Sequence, residues 1–458
     1  MTQKMVILGA GESGLGAAKL GVKLGFEVFL SDAGNLTEQA KSLLNDMAVP
    51  YEEDGHTESK IFGADLIVKS PGIPDTVDLI VRLKEADIPV ISEIELAFRY
   101  KEPNAKVIAI TGTNGKTTTT LLIHHLLKTA GFNVALGGNI GISFAKLVAE
   151  GDFDYYVIEV SSFQLDGIEQ FRPDVAILLN ITPDHLDRYN DDFQLYVSSK
   201  FRITENLTSD ECFIYCADCE PVTEELTKRK IEACLFAISA SNKMSSSAYL
   251  DEGHLIFNYK FKNQGQHHKI PLTEISLIGK HNMINAMAAV LAVLSMDESI
   301  SDILKGLKTF RNAPHRLELV AELNGVKFIN DSKATNVDAV YYALEGIDQP
   351  IIWVAGGVDK GNDYTVLKAL VKAKVKLLLC LGKDNEALIQ SFGSDVDIYE
   401  TQEVDELVAM AIQKSKAGDV VLLSPACASF DLFKNYEDRG DQFKKAIRNK
   451  MSTLKVQA

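Results

Sequence analysis

The sequence predicts an α/β protein made of three successive domains. Three observations predict it. The chain has 458 residues, more than a single hydrophobic core organises. Short apolar, β-branched runs alternate with helical stretches from end to end, and many of those runs finish in loops bearing Gly or Ser. Two polar stretches, Arg99-Tyr100-Lys101-Glu102-Pro103-Asn104 and Asn312-Ala313-Pro314-His315-Arg316, interrupt the pattern. They divide the chain into residues 1–100, 101–312 and 313–458.

Composition narrows the class. Apolar residues make up 46% and charged residues 24%, ordinary values for a globular protein. The net charge of -16 argues against nucleic acid as a partner. Any anionic ligand must then be held by loop amides and single lysines. Six cysteines are too few for a disulfide framework at this length. Cys212, Cys216 and Cys219 lie close together, but Cys212 to Cys216 reads as one strand and no second cluster has ligand spacing. Reduced cytosolic thiols are expected. No apolar run approaches the ~18 residues of a membrane span, and the start is too short for a signal-peptide core.

The first domain opens on Val6-Ile7-Leu8, a buried strand. Gly9-Ala10-Gly11-Glu12-Ser13-Gly14 follows, a complete G-x-G-x-x-G, then a helix through Ala17, Leu20 and Leu24. Val28-Phe29-Leu30 leads to Asp32, roughly at the ribose position of a dinucleotide site. Too few strands fit before residue 100 for a two-halved NAD domain, and Glu12 would oppose a pyrophosphate. A half-sized Rossmann-like domain holding a nucleotide diphosphate is the expectation. Leu66-Ile67-Val68 and Val90-Ile91 are its further strands. The first of these ends in Lys69-Ser70-Pro71-Gly72, at the edge where open α/β sheets bind ligands.

The second domain carries the strongest motif. Val107-Ile108-Ala109-Ile110 runs into Thr111-Gly112-Thr113-Asn114-Gly115-Lys116-Thr117-Thr118. That is a strand, a phosphate-cradling loop and a helix N-terminus, where loop amides and the helix dipole face an anion. Lys116 supplies a point charge and Thr117 a hydroxyl for Mg²⁺. The first glycine of G-x-x-x-x-G-K-[ST] would fall at Ile110; this chain uses Gly112 instead. Gly137-Gly138-Asn139-Ile140-Gly141 is a second glycine-rich loop. Glu159 ends the apolar strand Tyr155-Tyr156-Val157-Ile158, and a lone buried acid there favours a Mg²⁺ ligand. Ala176-Ile177-Leu178-Leu179-Asn180 delivers Thr182-Pro183-Asp184-His185-Leu186-Asp187; His185 reads equally as metal ligand or cap. Lys200, on a helix, reads by itself as a solvated surface lysine. Residues 210–275 are rich in strands, with His267 and His268 expected in a hairpin turn. Gly279-Lys280-His281 opens an Ala-rich helix that puts Asn282 and Asn285 on one face, for a purine edge or for N-capping.

The third domain alternates again. Four strands, at Lys327-Phe328-Ile329, Ile351 to Ala355, Leu377 to Leu381 and Val420 to Leu423, end in polar, Gly- or Ser-bearing loops. A ligand crevice at one sheet edge is expected. Asn330-Asp331-Ser332-Lys333-Ala334-Thr335-Asn336 opens a helix, and Gly356 to Asp363 includes Lys360.

Together these stretches resemble the ATP-dependent Mur ligases of peptidoglycan synthesis across essentially the whole chain. Thr111 to Thr118 is similar to that family's form of the P-loop, which accounts for the missing first glycine. Glu159-Val160-Ser161-Ser162-Phe163-Gln164-Leu165, Asn180 to Arg188, His315-Arg316-Leu317-Glu318, Asn330 to Asn336 and Leu423 to Asp431 resemble its D-glutamate-adding branch. The Asp-Asn-Pro-Arg motif of the diaminopimelate-adding branch is not found.

The resemblance implies the three folds: a Rossmann-like UDP-binding domain, a P-loop ATPase-like domain and a Rossmann-like amino-acid-binding domain. It implies that ATP phosphorylates the carboxylate of UDP-N-acetylmuramoyl-L-alanine, and that the D-glutamate amine attacks the acyl phosphate. Gly112, Thr113, Asn114, Gly115, Lys116, Thr117 and Thr118 would cradle ATP. Asn282 and Asn285 would meet adenine, and Arg316 and Asp331 the ribose and phosphate side. Thr117 and Glu159 would hold one Mg²⁺; His185 and Lys200 would hold a second. Lys116, His185 and Lys200 would be catalytic. A carbamylated Lys200 is implied, which reverses its surface reading and requires a site that lowers its pKa. Lys333, Thr335, Lys360, Ser424 and Phe430 would form the D-glutamate pocket. Ser13, Asp32 and Gly72 would take the uridine diphosphate, and Asn139 the muramoyl part. A member of that family carries a threonine and an arginine after the aspartate; here Asp32 is followed by Ala33-Gly34, so either helix-terminal amides suffice for the diphosphate or another lysine, such as Lys69, reaches in. The implied protein is a cytoplasmic monomer. A sister ligase with another amino acid, a nicotinamide-dependent oxidoreductase and a GTPase switch are the alternatives; the last lacks a guanine-reading Asn-Lys-x-Asp.

Overall fold

A computed structural model describes residues 2–241, 246–261, 264–277, 279–296 and 299–457. It contains three α/β domains, each built on one sheet. The first sheet contains β1 (Lys4–Leu8), β2 (Glu27–Ser31), β3 (Tyr51–Glu52), β4 (Leu66–Lys69) and β5 (Val90–Ser92). They are all parallel, in the order β3-β2-β1-β4-β5. Five strands in this order make the sheet larger than the half-sized one expected, one strand short of a full dinucleotide-binding sheet; the unexpected strand, β3, has two residues and no apolar run.

The central sheet runs β6 (Lys106–Thr111), β7 (Val134–Gly138), β8 (Tyr155–Glu159), β9 (Val175–Leu178), β10 (Cys212–Cys216), β11 (Cys234–Ser239), β12 (Ala248–Asp251), β13 (His254–Phe261) and β14 (Gln264–Pro271) along the chain. Its spatial order is β14-β13-β12-β11-β10-β9-β6-β8-β7. The last two pairings, β12 with β13 and β13 with β14, are antiparallel. His267 and His268 are not in a turn. They lie within β14, opposite Asn258 and Phe257. Backbone pairing at the sheet edge holds this strand, so its polar sequence carries no apolar alternation to announce it.

The third sheet contains β15 (Glu318–Leu323), β16 (Val326–Asn330), β17 (Ile351–Ala355), β18 (Val375–Leu381), β19 (Asp397–Thr401) and β20 (Val420–Leu423). Its order is β15-β16-β20-β17-β18-β19. The two strands beyond the four expected, β15 and β19, are the sheet edges and are only partly buried, so they lack the continuous apolar runs of the inner strands.

The chain forms two compact units, Met1–Ser276 with Ile284–Phe310, and Leu277–Met283 with Arg311–Ala458. The first unit holds two sheets around one continuous apolar cluster, which runs from Met5 and Leu30 through Ile94 and Phe144 to Phe213. Each large aliphatic side chain buried there contributes about 1.5–3 kcal/mol. Helix Glu12–Lys23 packs directly on helix Phe144–Glu150. Gly16 makes the approach possible, since a Cβ there would land on Ser143 Oγ.

Two buried acids on helix Glu93–Tyr100 fasten the same seam. Glu95 accepts backbone N–H bonds from Glu169 and Phe171 at 2.9 Å and from Gln170 at 3.0 Å, and pairs with Arg99. Glu93 accepts from the Ala145 amide, while its Oε2 is buried without a partner. Burial, reinforced by the charge of Glu12, raises the Glu93 carboxyl to about 8. The folded protein therefore binds a proton there that the unfolded chain releases above about 4.5. Its contribution to stability is complete below that value and is lost as pH rises towards 8. Glu93→Gln is expected to flatten the fall in stability between pH 5 and 8, a slope of up to roughly 1.4 kcal/mol per pH unit. Urea unfolding followed across that range would check it, and an unchanged slope would contradict the assignment.

Candidate active site

Three adjacent strands bring the central groups together. β6 lies between β9 and β8, with Ile110 opposite Glu159 and Thr111 opposite Leu178. The phosphate loop after β6 thus has Glu159 on one side and the Asn180–Asp187 segment on the other. Asn180 clamps the loop by accepting from the Asn114 amide at 2.8 Å and donating to the Asn114 carbonyl at 3.0 Å. Thr113 Oγ1 donates to the Thr182 carbonyl and accepts from its amide. Gly115 caps helix Lys116–Thr129 at φ +86°, and a Cβ there would collide with Asn285 Oδ1. Asn285 therefore stands against the loop. Asn282, three residues earlier on helix Lys280–Leu294, is also buried.

Lys116 Nζ donates to the carbonyls of Gly112 at 2.8 Å and Thr113 at 2.9 Å. Lys200 Nζ reaches the same Gly112 carbonyl at 2.9 Å. Lys200 lies on helix Phe193–Phe201 and is only 2% exposed, so the surface-lysine reading fails. Its ammonium sits 4.5 Å above the Tyr196 ring, whose hydroxyl bonds Thr113. Burial, then the charge of Lys116, pull the Lys200 pKa well below its usual range; Asp184, Glu159 and Asp166 act the other way. Thr117 Oγ1 donates to Glu159 Oε2 at 2.8 Å, and Asn139 Nδ2 to Glu159 Oε1 at 3.2 Å. His185 is exposed, at φ +53°, with its ring edge-on to Phe163.

Thr117, Glu159, Asn139 and Asp184 offer the hard oxygen donors that suit Mg²⁺. Among the described residues no three His, Cys, Asp or Glu side chains gather into a metal site. An ion held here would take further ligands from phosphate or water, as Mg²⁺ commonly does. None of the six cysteines forms a disulfide, and Cys212 and Cys216 are buried on β10.

In the first domain, Leu8 pairs with Ser31 and Lys69, which sets the Gly9–Gly14 turn between Asp32 and Gly72. Ser13 is half-buried in the first turn of helix Glu12–Lys23, and Gly72 is exposed. Asp32 accepts from the amides of Ala10 at 2.6 Å and Gly34 at 2.8 Å, so its carboxylate shapes the turn. Glu12 is directed onto the Ser143 amide and Lys146, away from the turn. Lys69 is not a free cation for a diphosphate: its Nζ is buried, 2.6 Å from the Ile73 carbonyl and 3.1 Å from Asp75. Burial lowers its pKa, with Asp75 opposing.

In the second unit, β16, β20 and β17 end side by side. Asp331 accepts from Ser424 Oγ at 3.0 Å and from the Leu317 amide at 3.1 Å. Burial raises its carboxyl to about 7, with those two bonds and Arg316 opposing. Ser424 is fully buried, with its hydroxyl on Asp331. Lys333 Nζ lies 3.7 Å over the Tyr436 ring, next to half-buried Thr335. Lys360 and Phe430 are exposed, Phe430 at 72%. A cavity of about 560 Å³ is lined by Gly357, Asp359, Lys383, Asn385 and Asp431.

Sequence reasoning missed Arg439, a buried guanidinium on helix Tyr436–Gln457. It donates to Ser332 Oγ at 3.0 Å, to the Ser332 carbonyl at 2.9 Å, to Cys427 at 3.2 Å and to Gly356 at 3.3 Å. It thus ties together the loops after β16, β20 and β17. A lone arginine on an otherwise polar helix carried no signal. Tyr196, whose hydroxyl meets Thr113, and Tyr436, whose ring lies under Lys333, were missed as well.

Comparison with known proteins gives a consistent picture. Residues 4–78 match the MurD N-terminal domain, 110–293 the Mur ligase middle domain and 315–427 the Mur ligase glutamate ligase domain. The UDP-N-acetylmuramoylalanine--D-glutamate ligase of Christiangramia forsetii is 50% identical over 98% of this chain and 100% of its own length. That of Bacteroides fragilis is 47% identical over 97% of this chain and 99% of its own. Among solved structures, the MurF ligase of Thermotoga maritima in complex with ADP shares the fold, with a TM-score of 0.61 at 15% identity, over 92% of this chain and 95% of that one. The UDP-N-acetylmuramate-alanine ligase MurC of the same organism has a TM-score of 0.59 at 19% identity, over 98% and 99%.

Gly115→Ala combines a strained φ with a collision at Asn285. It is expected to weaken ATP binding by about tenfold or more, a loss of roughly 1.4 kcal/mol. Calorimetric titration would measure it, and wild-type affinity would contradict the packing described.

Proposed function

The chain belongs to the Mur ligase family, and from that membership we propose that it joins D-glutamate to UDP-N-acetylmuramoyl-L-alanine at the expense of ATP, a step of peptidoglycan synthesis. The observation that carries this reading is the convergence of Lys116 and Lys200 on the Gly112 carbonyl, beside the Thr117–Glu159 pair. Lys116, a buried lysine held towards its neutral form and a hard-oxygen pair at the mouth of a phosphate loop suit the transfer of a phosphoryl group to a carboxylate.

In this reading the amides of Gly112 to Thr118 cradle ATP and Lys116 moves from its loop carbonyls onto the transferring phosphoryl group. Asn282, Asn285, Arg316 and Asp331 bind the rest of the nucleotide. Ser13, Asp32 and Gly72 bind the uridine diphosphate, and Asn139 the muramoyl part. With Lys69 engaged by Asp75, the amides at the start of helix Glu12–Lys23 carry the diphosphate charge. The L-alanine carboxylate attacks the γ-phosphorus and ADP leaves. The D-glutamate amine then attacks the acyl phosphate, and the tetrahedral intermediate expels phosphate. Lys333, Thr335, Lys360 and Phe430 receive D-glutamate, with Ser424 behind Asp331.

Thr117 and Glu159 would hold one Mg²⁺, and His185 and Lys200 a second. Bound Mg²⁺ supplies charge neutralisation on the phosphates. Lys200 meets the chemical condition for carbamylation, because its neutral amine is favoured by burial and by Lys116. We place the domain boundaries near residues 100 and 312, and expect a cytoplasmic monomer. Among the described residues no helix is long and apolar enough to cross a membrane. The dinucleotide reading is weaker, because residues 4–78 match the MurD N-terminal domain.

The test is phosphate release with ATP, Mg²⁺ and UDP-N-acetylmuramoyl-L-alanine, run in parallel with D-glutamate, L-glutamate, L-lysine and diaminopimelate. Release with D-glutamate alone is expected. Release only with another amino acid would keep the ligase chemistry and overturn the acceptor; no release with any would overturn the activity. Lys116→Ala should lower turnover by about three orders of magnitude or more while leaving the melting temperature unchanged. Near-normal turnover would refute the assignment of Lys116.

A further inference from the structure

One side chain touches both the substrate loop of the first domain and the His185 segment of the central domain. Arg188 donates through Nη1 to the Gly72 carbonyl and through Nη2 to the Pro71 carbonyl, each at 3.2 Å. Its guanidinium lies 4.4 Å from the centre of the Phe163 ring. The same ring meets His185 edge-on at 5.5 Å and stacks with Tyr189 at 5.9 Å. The Tyr189 hydroxyl bonds Ser199 Oγ at 3.2 Å, and Ser199 precedes Lys200. Alongside, a cavity of about 590 Å³ is lined by Lys69, Ile73, Asp75 and Arg202 as well as Arg188. The contact is a strut beside an opening and not part of a continuous apolar wall.

Local geometry explains why such a strut is needed. Arg188 lies in the short 3-10 turn Leu186–Tyr189, which is entered by His185 at φ +53° and left by Asn190 at φ +54°. Left-handed conformations at residues other than glycine cost roughly 1 kcal/mol or more each, and persist when side-chain contacts fix them. The planar guanidinium suits this task, since its fork meets two successive carbonyls while its face rests on an aromatic ring.

We propose that Arg188 is a positioning residue that couples the Pro71–Gly72 loop to the His185 turn, so that UDP-substrate bound at the first orders the second. The inference rests on the ligase reading and deepens it. It explains how a first domain that supplies no reacting group controls the geometry of the phosphoryl-transfer site. Arg188 itself touches carbonyls and a ring; it acts through Gly72 and His185.

The experiment is amide hydrogen exchange on the full chain, with and without UDP-N-acetylmuramoyl-L-alanine and with no ATP or Mg²⁺. In the wild type, substrate should slow exchange in both 70–76 and 182–190. In Arg188→Ala, protection of 70–76 should remain and that of 182–190 should fall by about tenfold, the loss expected for charge-assisted bonds. Arg188→Lys should behave like Arg188→Ala, because a point charge lacks the fork, and millimolar guanidinium should restore coupling to Arg188→Ala. In turnover assays, KM for the UDP-substrate should rise while KM for ATP holds. Equal protection of 182–190 in Arg188→Ala, or full recovery with Arg188→Lys, would overturn the proposal. Substrate that protects neither segment in the wild type and shows no binding would overturn the ligase reading itself.

Discussion

The Gly112 carbonyl accepts from two lysines at once, Lys116 and Lys200, and the central domain is arranged so that this is tolerable. Two ammonium groups near one oxygen repel, and burial penalises both. The structure answers with acids at controlled remove. Glu159 stands on the neighbouring strand, while Asp184 and Asp166 also attract the Lys200 charge. Even so, Lys200 is pulled strongly towards its neutral form. Lys116 and the amides at the start of helix Lys116–Thr129 then supply the local positive field that phosphates need, against an overall charge of -16.

The same economy of fixed polar contacts holds the surrounding loops. The phosphate loop is not left to its glycines; Asn180, Thr182 and Tyr196 clamp Asn114 and Thr113. In the second unit a single buried arginine, Arg439, gathers three strand-end loops. At the seam of the first unit, Glu95 collects three successive backbone amides. In each case fixed polar side chains organise backbone that has no regular structure of its own; the phosphate loop and the loops gathered by Arg439 lie at the C-terminal ends of parallel strands, where ligands bind.

This arrangement also divides the work between the units. The first and central sheets share one apolar cluster and several buried polar ties, so their mutual geometry is fixed by packing. Arg188 extends that fixity from the seam to the His185 turn. The last unit has its own two clusters, one on each face of its sheet, and forms a compact unit of its own.

Much of this was legible in the residues. Continuous Val, Ile and Leu runs marked the inner parallel strands, because strands buried on both faces need them. Gly112, Gly115, Lys116 and Thr117 declared the phosphate loop, because backbone approach to an anion restricts the residues that fit. Edge strands such as β14, β15 and β19 were hidden, since their pairing relies on backbone bonds that leave no side-chain pattern. What only the tertiary structure decided was the use of single polar side chains. The residues by themselves left Lys200 as a surface lysine, a reading that only the family resemblance reversed; Lys69 was a candidate cation, and Arg188 and Arg439 had no role of their own. Burial and partners are set by residues tens to hundreds of positions away. The local sequence therefore fixed where the chain folds into strands and anion-binding turns, while long-range packing determined which charges are buried, paired or left to act.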